Sequence, residues 1–129
     1  MEIVHIVIAL ALVQFFIFGG LVGRARVKSG VKAPAIAGDP VFERYFRVHY
    51  NTLEQLAVFI PAILLFATYI NTVAAAVLGL IFIIGRIVYF RAYIADPSRR
   101  GAGFGLTMLA NSILLFGGLG GAAWSALGA

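Results

Sequence analysis

The sequence predicts an all-α integral membrane protein, a bundle of four transmembrane helices, and three observations carry that expectation. Apolar residues make up 62% of the 129 residues, charged residues only 12%, and the mean hydropathy is +1.01. A soluble domain of this size has one small core and must turn much of its surface to water, so lipid is the natural solvent for this composition. The apolar residues are also gathered into four runs, each close to the ~20 residues that cross a hydrocarbon core as a helix, and the basic side chains bunch between those runs.

The first run is Ile3 to Gly23. No basic stretch precedes it and no clean small-x-small cleavage site follows it, so it is expected to persist as a span and not to be removed as a signal peptide. The second extends from Val41 to Ile70, with a polar first half and with Pro61 in mid-span, where a kink is expected. The third, Val73 to Ala95, is stopped by Asp96-Pro97. The fourth is Phe104 to Leu127, its start loosened by Gly101, Gly103 and Gly105. Gly19 with Gly23, and Gly117 with Gly121, are small-xxx-small pairs that allow helices to approach closely. Trp124 reads as an anchor at the interface. No internal repeat interrupts the pattern, so residues 1–129 are read as a single membrane domain.

All ten basic side chains fall in or near the first and third loops: Arg24, Arg26, Lys28, Lys32, Arg44, Arg47, Arg86, Arg91, Arg99 and Arg100. By the positive-inside rule these loops face the cytoplasm and both termini lie on the opposite side, a parity that requires an even number of spans. The first loop, Arg24 to Pro40, holds the helix breakers Gly30, Pro34, Gly38 and Pro40 and is basic enough to rest on anionic headgroups. A net charge of +5 invites a nucleic-acid reading, but the basic residues are few, divided by membrane segments and without stacking motifs, so no nucleic-acid partner is expected. Cysteine is absent, which removes disulfides, thiol nucleophiles and thiolate metal sites. His5 and His49 lie far apart in the chain, and no metal site is expected.

Polar residues inside the second and third spans carry the functional signal. Arg47, Asn51 and Glu54 are spaced four and three apart, and Arg86, Tyr89 and Tyr93 three and four, so each set occupies one helical face. Counted from the cytoplasmic ends, Glu54 lies roughly 16 Å along its helix and Arg86 roughly 14 Å along its own; Arg47 falls level with Tyr93. A charge at that depth costs at least ~2.5 kcal/mol unless partnered or functional. One reading is a structural ion pair between Glu54 and Arg86. The other is a polar pocket, open to the cytoplasm and lined by all six residues, whose surplus of arginine suits an anion with several carboxylates and whose single carboxylate suits an ammonium. Glutathione, a phospholipid headgroup or a nucleotide would each satisfy these groups.

The stretch Phe42-Glu43-Arg44-Tyr45-Phe46-Arg47-Val48-His49-Tyr50-Asn51-Thr52-Leu53-Glu54, then Gly85-Arg86-Ile87-Val88-Tyr89-Phe90-Arg91-Ala92-Tyr93 and Pro97-Ser98-Arg99-Arg100, closely resembles the MAPEG family, the membrane-associated proteins of eicosanoid and glutathione metabolism. The combination ERxxRxxxNxxE with GRxxYxxxY is specific, and the likeness extends from about Arg26 to Thr107. The resemblance implies a homotrimer of four-helix subunits with glutathione, as co-substrate, bound between neighbours at the cytoplasmic side. It implies Arg26, Arg47, Asn51, Glu54, Arg86, Tyr89 and Tyr93 as glutathione-binding residues and Arg100 as the catalytic residue that holds the sulfur as thiolate. The activity implied is a membrane glutathione transferase acting on lipophilic electrophiles, with peroxidase activity on lipid hydroperoxides as an extension. The alternatives the resemblance leaves are a glutathione-dependent isomerase like prostaglandin E synthase and a non-catalytic lipid-binding scaffold like the lipoxygenase-activating protein, which shares the fold. Val27 and Gln55 depart from the pattern of leukotriene C4 synthase, where a second basic residue and a tyrosine stand, and favour a broader transferase. Arg24, Lys28, Lys32, Arg91 and Arg99 are read as headgroup anchors, and the compact loops fit a bacterial inner membrane.

Overall fold

The computed structural model describes residues 1–128, which form four long helices: α1 (Glu2–Ser29), α2 (Pro40–Tyr69), α3 (Thr72–Ala95) and α4 (Gly101–Ala126), with a 3-10 turn at Pro97–Arg99. Each of the four is long and apolar enough to cross a membrane.

The helix ends follow from local chemistry. Asp39 precedes Pro40 in extended conformation and its carboxylate accepts from the Phe42 amide at 2.9 Å, while Pro40 occupies a first-turn position where no N–H is missed. Asn71 caps α3 by accepting from the Ala74 amide at 2.8 Å. Asp96 ends α3 and caps the 3-10 turn. α1 continues six residues beyond the expected Gly23, because Arg24, Arg26 and Lys28 end the apolar run without ending the helix: they are good helix formers, and cations near a C-terminus complement its dipole. The stop comes at Gly30, which adopts φ 77° and returns its N–H to the Arg26 carbonyl. The basic stretch is therefore half helix, half loop. Likewise α2 runs as one helix through Pro61.

Side-chain pairings fix the topology. Val4 and Val7 of α1 share a core with Phe59, Ile63 and Phe66 of α2, whereas Val22 and Ala25 meet Phe42, so α1 and α2 are antiparallel. Phe59 stacks on Phe82 with centroids 4.0 Å apart, and Arg86 reaches Asn51, so α2 and α3 are antiparallel as well. α4 runs back along α3 and parallel to α2, with Gly103 against Tyr89 and Asn111 against Gln55. α2 and α3 form the central pair, each touching the other and both outer helices. The half of the bundle around Phe59, Ile63, Phe82 and Leu114 is a mainly apolar core. The other half carries the polar side chains.

Glycine enables the close approach of α3 and α4. A Cβ on Gly103 would overlap the Tyr89 backbone nitrogen, so the glycine seats the helices together and does not loosen the start of α4 as expected. Gly121 and Gly117 abut Tyr69, Ile70 and Phe66 in the same manner, while Gly19 lies under His49 and Gly23 meets nothing. Gly103→Ala should cost about 1–3 kcal/mol through overpacking and lower the thermal midpoint in detergent. Gly101→Ala, with open space at its Cβ, should leave that midpoint unchanged or slightly raised; equal effects of the two would refute the packing account.

Candidate functional site

α2, α3 and the turn before α4 frame a cavity of about 350 Å³ lined by Arg47, Tyr50, Asn51, Glu54, Tyr89, Tyr93 and Arg100. The first four lie at spacings of three, one and three along α2, one exposed helical face, and the tyrosines occupy the facing side of α3. Arg100 arrives from the turn before α4, where its Nη1 donates to the Pro97 carbonyl at 2.9 Å. A second hollow of about 270 Å³, lined by Pro40, Glu43, Arg44, Arg47, Tyr93 and Pro97, shares Arg47 and Tyr93 with the first. Arg44 anchors this end of the bundle: its guanidinium donates to the Ile94 carbonyl at 2.9 Å and the Ala95 carbonyl at 3.4 Å, capping α3 from α2.

Arg86 lies behind the wall, fully buried. Its Nε donates to Thr107 Oγ1 at 3.0 Å, and its Nη1 to Asn51 Oδ1 at 2.7 Å and Thr52 Oγ1 at 3.4 Å. The guanidinium carbon sits 4.3 Å from the centroid of the Tyr89 ring, a cation–π contact. An ion pair between Glu54 and Arg86 is not formed: Arg86 binds neutral oxygens about one turn nearer the basic-loop end of the bundle, and Glu54 points into the cavity. Equal depth along two helices does not imply facing side chains, and Asn51 and Thr52 stand on the azimuth that Arg86 meets.

This contact also decides the Asn51 amide. Arginine has only donors, so Asn51 must offer it oxygen, which leaves the amide N–H groups free for whatever occupies the cavity. Donors therefore dominate the wall: two guanidinium groups, one amide and three phenols surround the lone carboxylate of Glu54. Such a surface suits an anion with several carboxylate or carbonyl oxygens and one cationic group.

Of the eight site residues expected from sequence, Arg47, Asn51, Glu54, Tyr89, Tyr93 and Arg100 share the cavity, and Arg86 backs it. Arg26 stands apart, donating to the carbonyls of Val31 at 3.4 Å and Ala35 at 2.7 Å with its guanidinium over the Phe42 ring. Tyr50 was missed, although its spacing from Arg47 and Glu54 puts it on the same face. Thr107 and Thr52 were missed because a lone threonine in an apolar helix gives little signal. A separate groove of about 310 Å³, with Arg24, Lys28 and Tyr45, lies between the end of α1 and the start of α2 and holds none of the expected site residues.

Comparison with known proteins identifies the family. Residues 4–120 match the MAPEG family, nearly the whole chain. The chain belongs to the MAPEG family. An uncharacterized protein of Synechocystis sp. is 45% identical over 114 residues, covering 88% of this chain and 83% of that protein. Human microsomal glutathione S-transferase 2 is 41% identical over 100 residues, 77% of this chain and 68% of that protein. Leukotriene C4 synthase of Cavia porcellus is 34% identical over 77 residues, 60% of this chain and about half, 51%, of the synthase. The MAPEG match spans all four helices, and both motifs fall on the two helices that build most of the cavity.

The turn carrying Arg100 has its own pH dependence. The Asp96 carboxylate accepts from the Ser98 hydroxyl at 2.8 Å and the Ser98 amide at 3.1 Å, and these bonds hold its pKa below the ordinary value. Because the folded pKa is depressed, the stabilisation is complete above the unfolded value and is lost as pH falls through the folded one, below about pH 4. Carboxyl carbon shifts should show Asp96 titrating below a free aspartate, and Ser98→Ala should raise its midpoint. A midpoint at the ordinary value would refute this account of the turn.

Proposed function

We propose that this protein is a membrane glutathione S-transferase that joins the glutathione thiolate to lipophilic electrophiles. The convergence of Arg47, Asn51, Glu54, Tyr89, Tyr93 and Arg100 on one donor-rich cavity carries this reading, and the likeness to microsomal glutathione S-transferase 2 supports it. Glutathione brings two carboxylates and two amides for the guanidinium, amide and phenol donors, and one ammonium for Glu54.

The chemistry follows from charge. A free thiol titrates near ~8.5 and is mostly protonated at neutral pH; a fixed cation favours the thiolate and lowers that pKa. Arg100 cannot act as base, since a guanidinium stays protonated. It stabilises the anion while the thiol proton passes to water at the open mouth of the cavity. The thiolate then forms a C–S bond with the electrophile, whose leaving group departs or whose opened ring takes a proton. With a lipid hydroperoxide the thiolate attacks the terminal oxygen, releasing the alcohol, and a second glutathione converts the sulfenic acid to disulfide and water.

A trimer with sites between subunits belongs to the same proposal. Arg47 and Glu54 are exposed on the isolated chain at depths where a charge in lipid costs ~2.5–3.5 kcal/mol, and a neighbouring subunit removes that cost. Arg26, outside the cavity of its own chain, is then available to the site of its neighbour. The loops between α1 and α2 and between α3 and α4 face the cytoplasm in this proposal.

Stopped-flow absorbance at the ultraviolet edge should show thiolate formation when glutathione is mixed with the protein. Arg100→Ala should abolish that signal and lower kcat by about 10²–10³; silence in the wild type would sink the transferase reading. Because the chain has no cysteine, Ser98→Cys and Asn71→Cys report sidedness. An impermeant maleimide outside intact cells should label Asn71→Cys alone, and labelling of Ser98→Cys would invert the topology.

A further inference from the structure

Thr107 lies outside both motifs, on a helix whose side chains do not line the cavity wall. It is fully buried, and its hydroxyl has two partners: it donates to the Gly103 carbonyl at 3.0 Å, one turn back on α4, and accepts from Arg86 Nε at 3.0 Å. With its proton committed to its own helix, the oxygen can only accept from the arginine. Thr52, across the bundle on α2, is built alike: it donates to the Val48 carbonyl at 2.7 Å and presents its lone pairs to Arg86 Nη1 at 3.4 Å. Two threonines thus grip the guanidinium from opposite sides.

A guanidinium is planar and rigid, so fixing Nε fixes the direction of Nη1. Nη1 meets Asn51 Oδ1 at 2.7 Å and commits the amide to present N–H to the cavity. We infer that Thr107 is a positioning residue of the glutathione site: acting through Arg86, it sets Asn51 as a donor and so selects a ligand with a carboxylate or amide carbonyl at that wall. This rests on the glutathione reading above only for the identity of the ligand. Thr107 touches no ligand itself; Asn51 makes the contact.

The test compares Thr107→Val, which keeps the shape and loses the hydroxyl, with Thr107→Ser, which keeps the hydroxyl. Calorimetry of glutathione binding to the detergent-solubilised protein should give a Kd raised about tenfold or more in Thr107→Val and within about twofold of wild type in Thr107→Ser, since a buried N–H left without its acceptor weakens the geometry it held. With chlorodinitrobenzene as electrophile, Thr107→Val should raise KM for glutathione while leaving kcat within about threefold, because Arg100 is untouched. A Thr107→Val protein that binds like wild type, or a Thr107→Ser protein as impaired as Thr107→Val, overturns the inference. Should Thr107→Val fail to fold, Asn51→Asp keeps an acceptor for Arg86 and removes the N–H from the cavity. Loss of glutathione binding there supports the relay, and retained binding overturns it. A ligand-free readout separates the two proposals: the Arg86 Nε–H should give a slowly exchanging nitrogen-15 resonance in wild type and Thr107→Ser that is lost in Thr107→Val. If that resonance behaves so and wild type ignores glutathione, the transferase reading falls while the relay stands; if it survives unchanged in Thr107→Val, the relay falls.

Discussion

A guanidinium group held at membrane depth must be given acceptors by its own protein, because the surrounding lipid has none. Arg86 is that group here, and the near half of the bundle supplies acceptors to its Nε and Nη1 while its Nη2 stays buried without a partner. Oxygens from α2 and α4 meet its Nε and Nη1, the Tyr89 ring covers one face, and Gly103 lets α4 come close enough for Thr107 to reach. Removing one of these acceptors costs at least ~1–3 kcal/mol, since a charged donor is left buried without its partner. The same contact turns the amide of Asn51 towards the cavity, so stability and recognition share one atom pair.

The bundle divides along its length. Around Phe59 and Phe82 the helices pack as stacked rings and branched aliphatics, with polar interruptions only where Gln14 donates to the Ile83 carbonyl at 3.0 Å and Asn111 to the Gln55 carbonyl at 3.3 Å. Towards the basic loops the packing becomes aromatic and hydrogen-bonded. In the proposed reaction a glutathione thiolate and a lipid-soluble electrophile would meet near that division, where the polar cavity ends and the apolar helix faces begin.

Much of this was legible in the sequence. Four apolar runs gave the helices to within a few residues, because burial in lipid leaves hydropathy as the dominant signal. The three-and-four spacing in α2 and α3 gave five of the seven cavity residues, because a helical face is a matter of counting, and the family resemblance gave Arg100. What the sequence withheld was azimuth. Depth placed Glu54 opposite Arg86, yet rotation about the helix axes gave that position to Asn51 and Thr52. Thr107 stayed hidden for a related reason: its importance lies in one hydroxyl at one angle, and nothing in Gly105-Leu106-Thr107-Met108 announces the angle. The end of α1 was misjudged because polarity was taken to end the helix as well as the span.

Among the described residues the one ion pair is between the terminal amine of Met1 and Glu2, at 3.8 Å and on the surface. Every polar contact that joins two helices runs instead from a donor to an uncharged oxygen. Dissolved electrolyte weakens attractions between exposed opposite charges and barely touches short contacts to neutral carbonyls and hydroxyls. The scaffold is therefore nearly blind to ionic strength, whereas the open, arginine-lined hollow feels it fully. Changing the salt around this protein would act on an anion bound in that hollow and leave the host as it was.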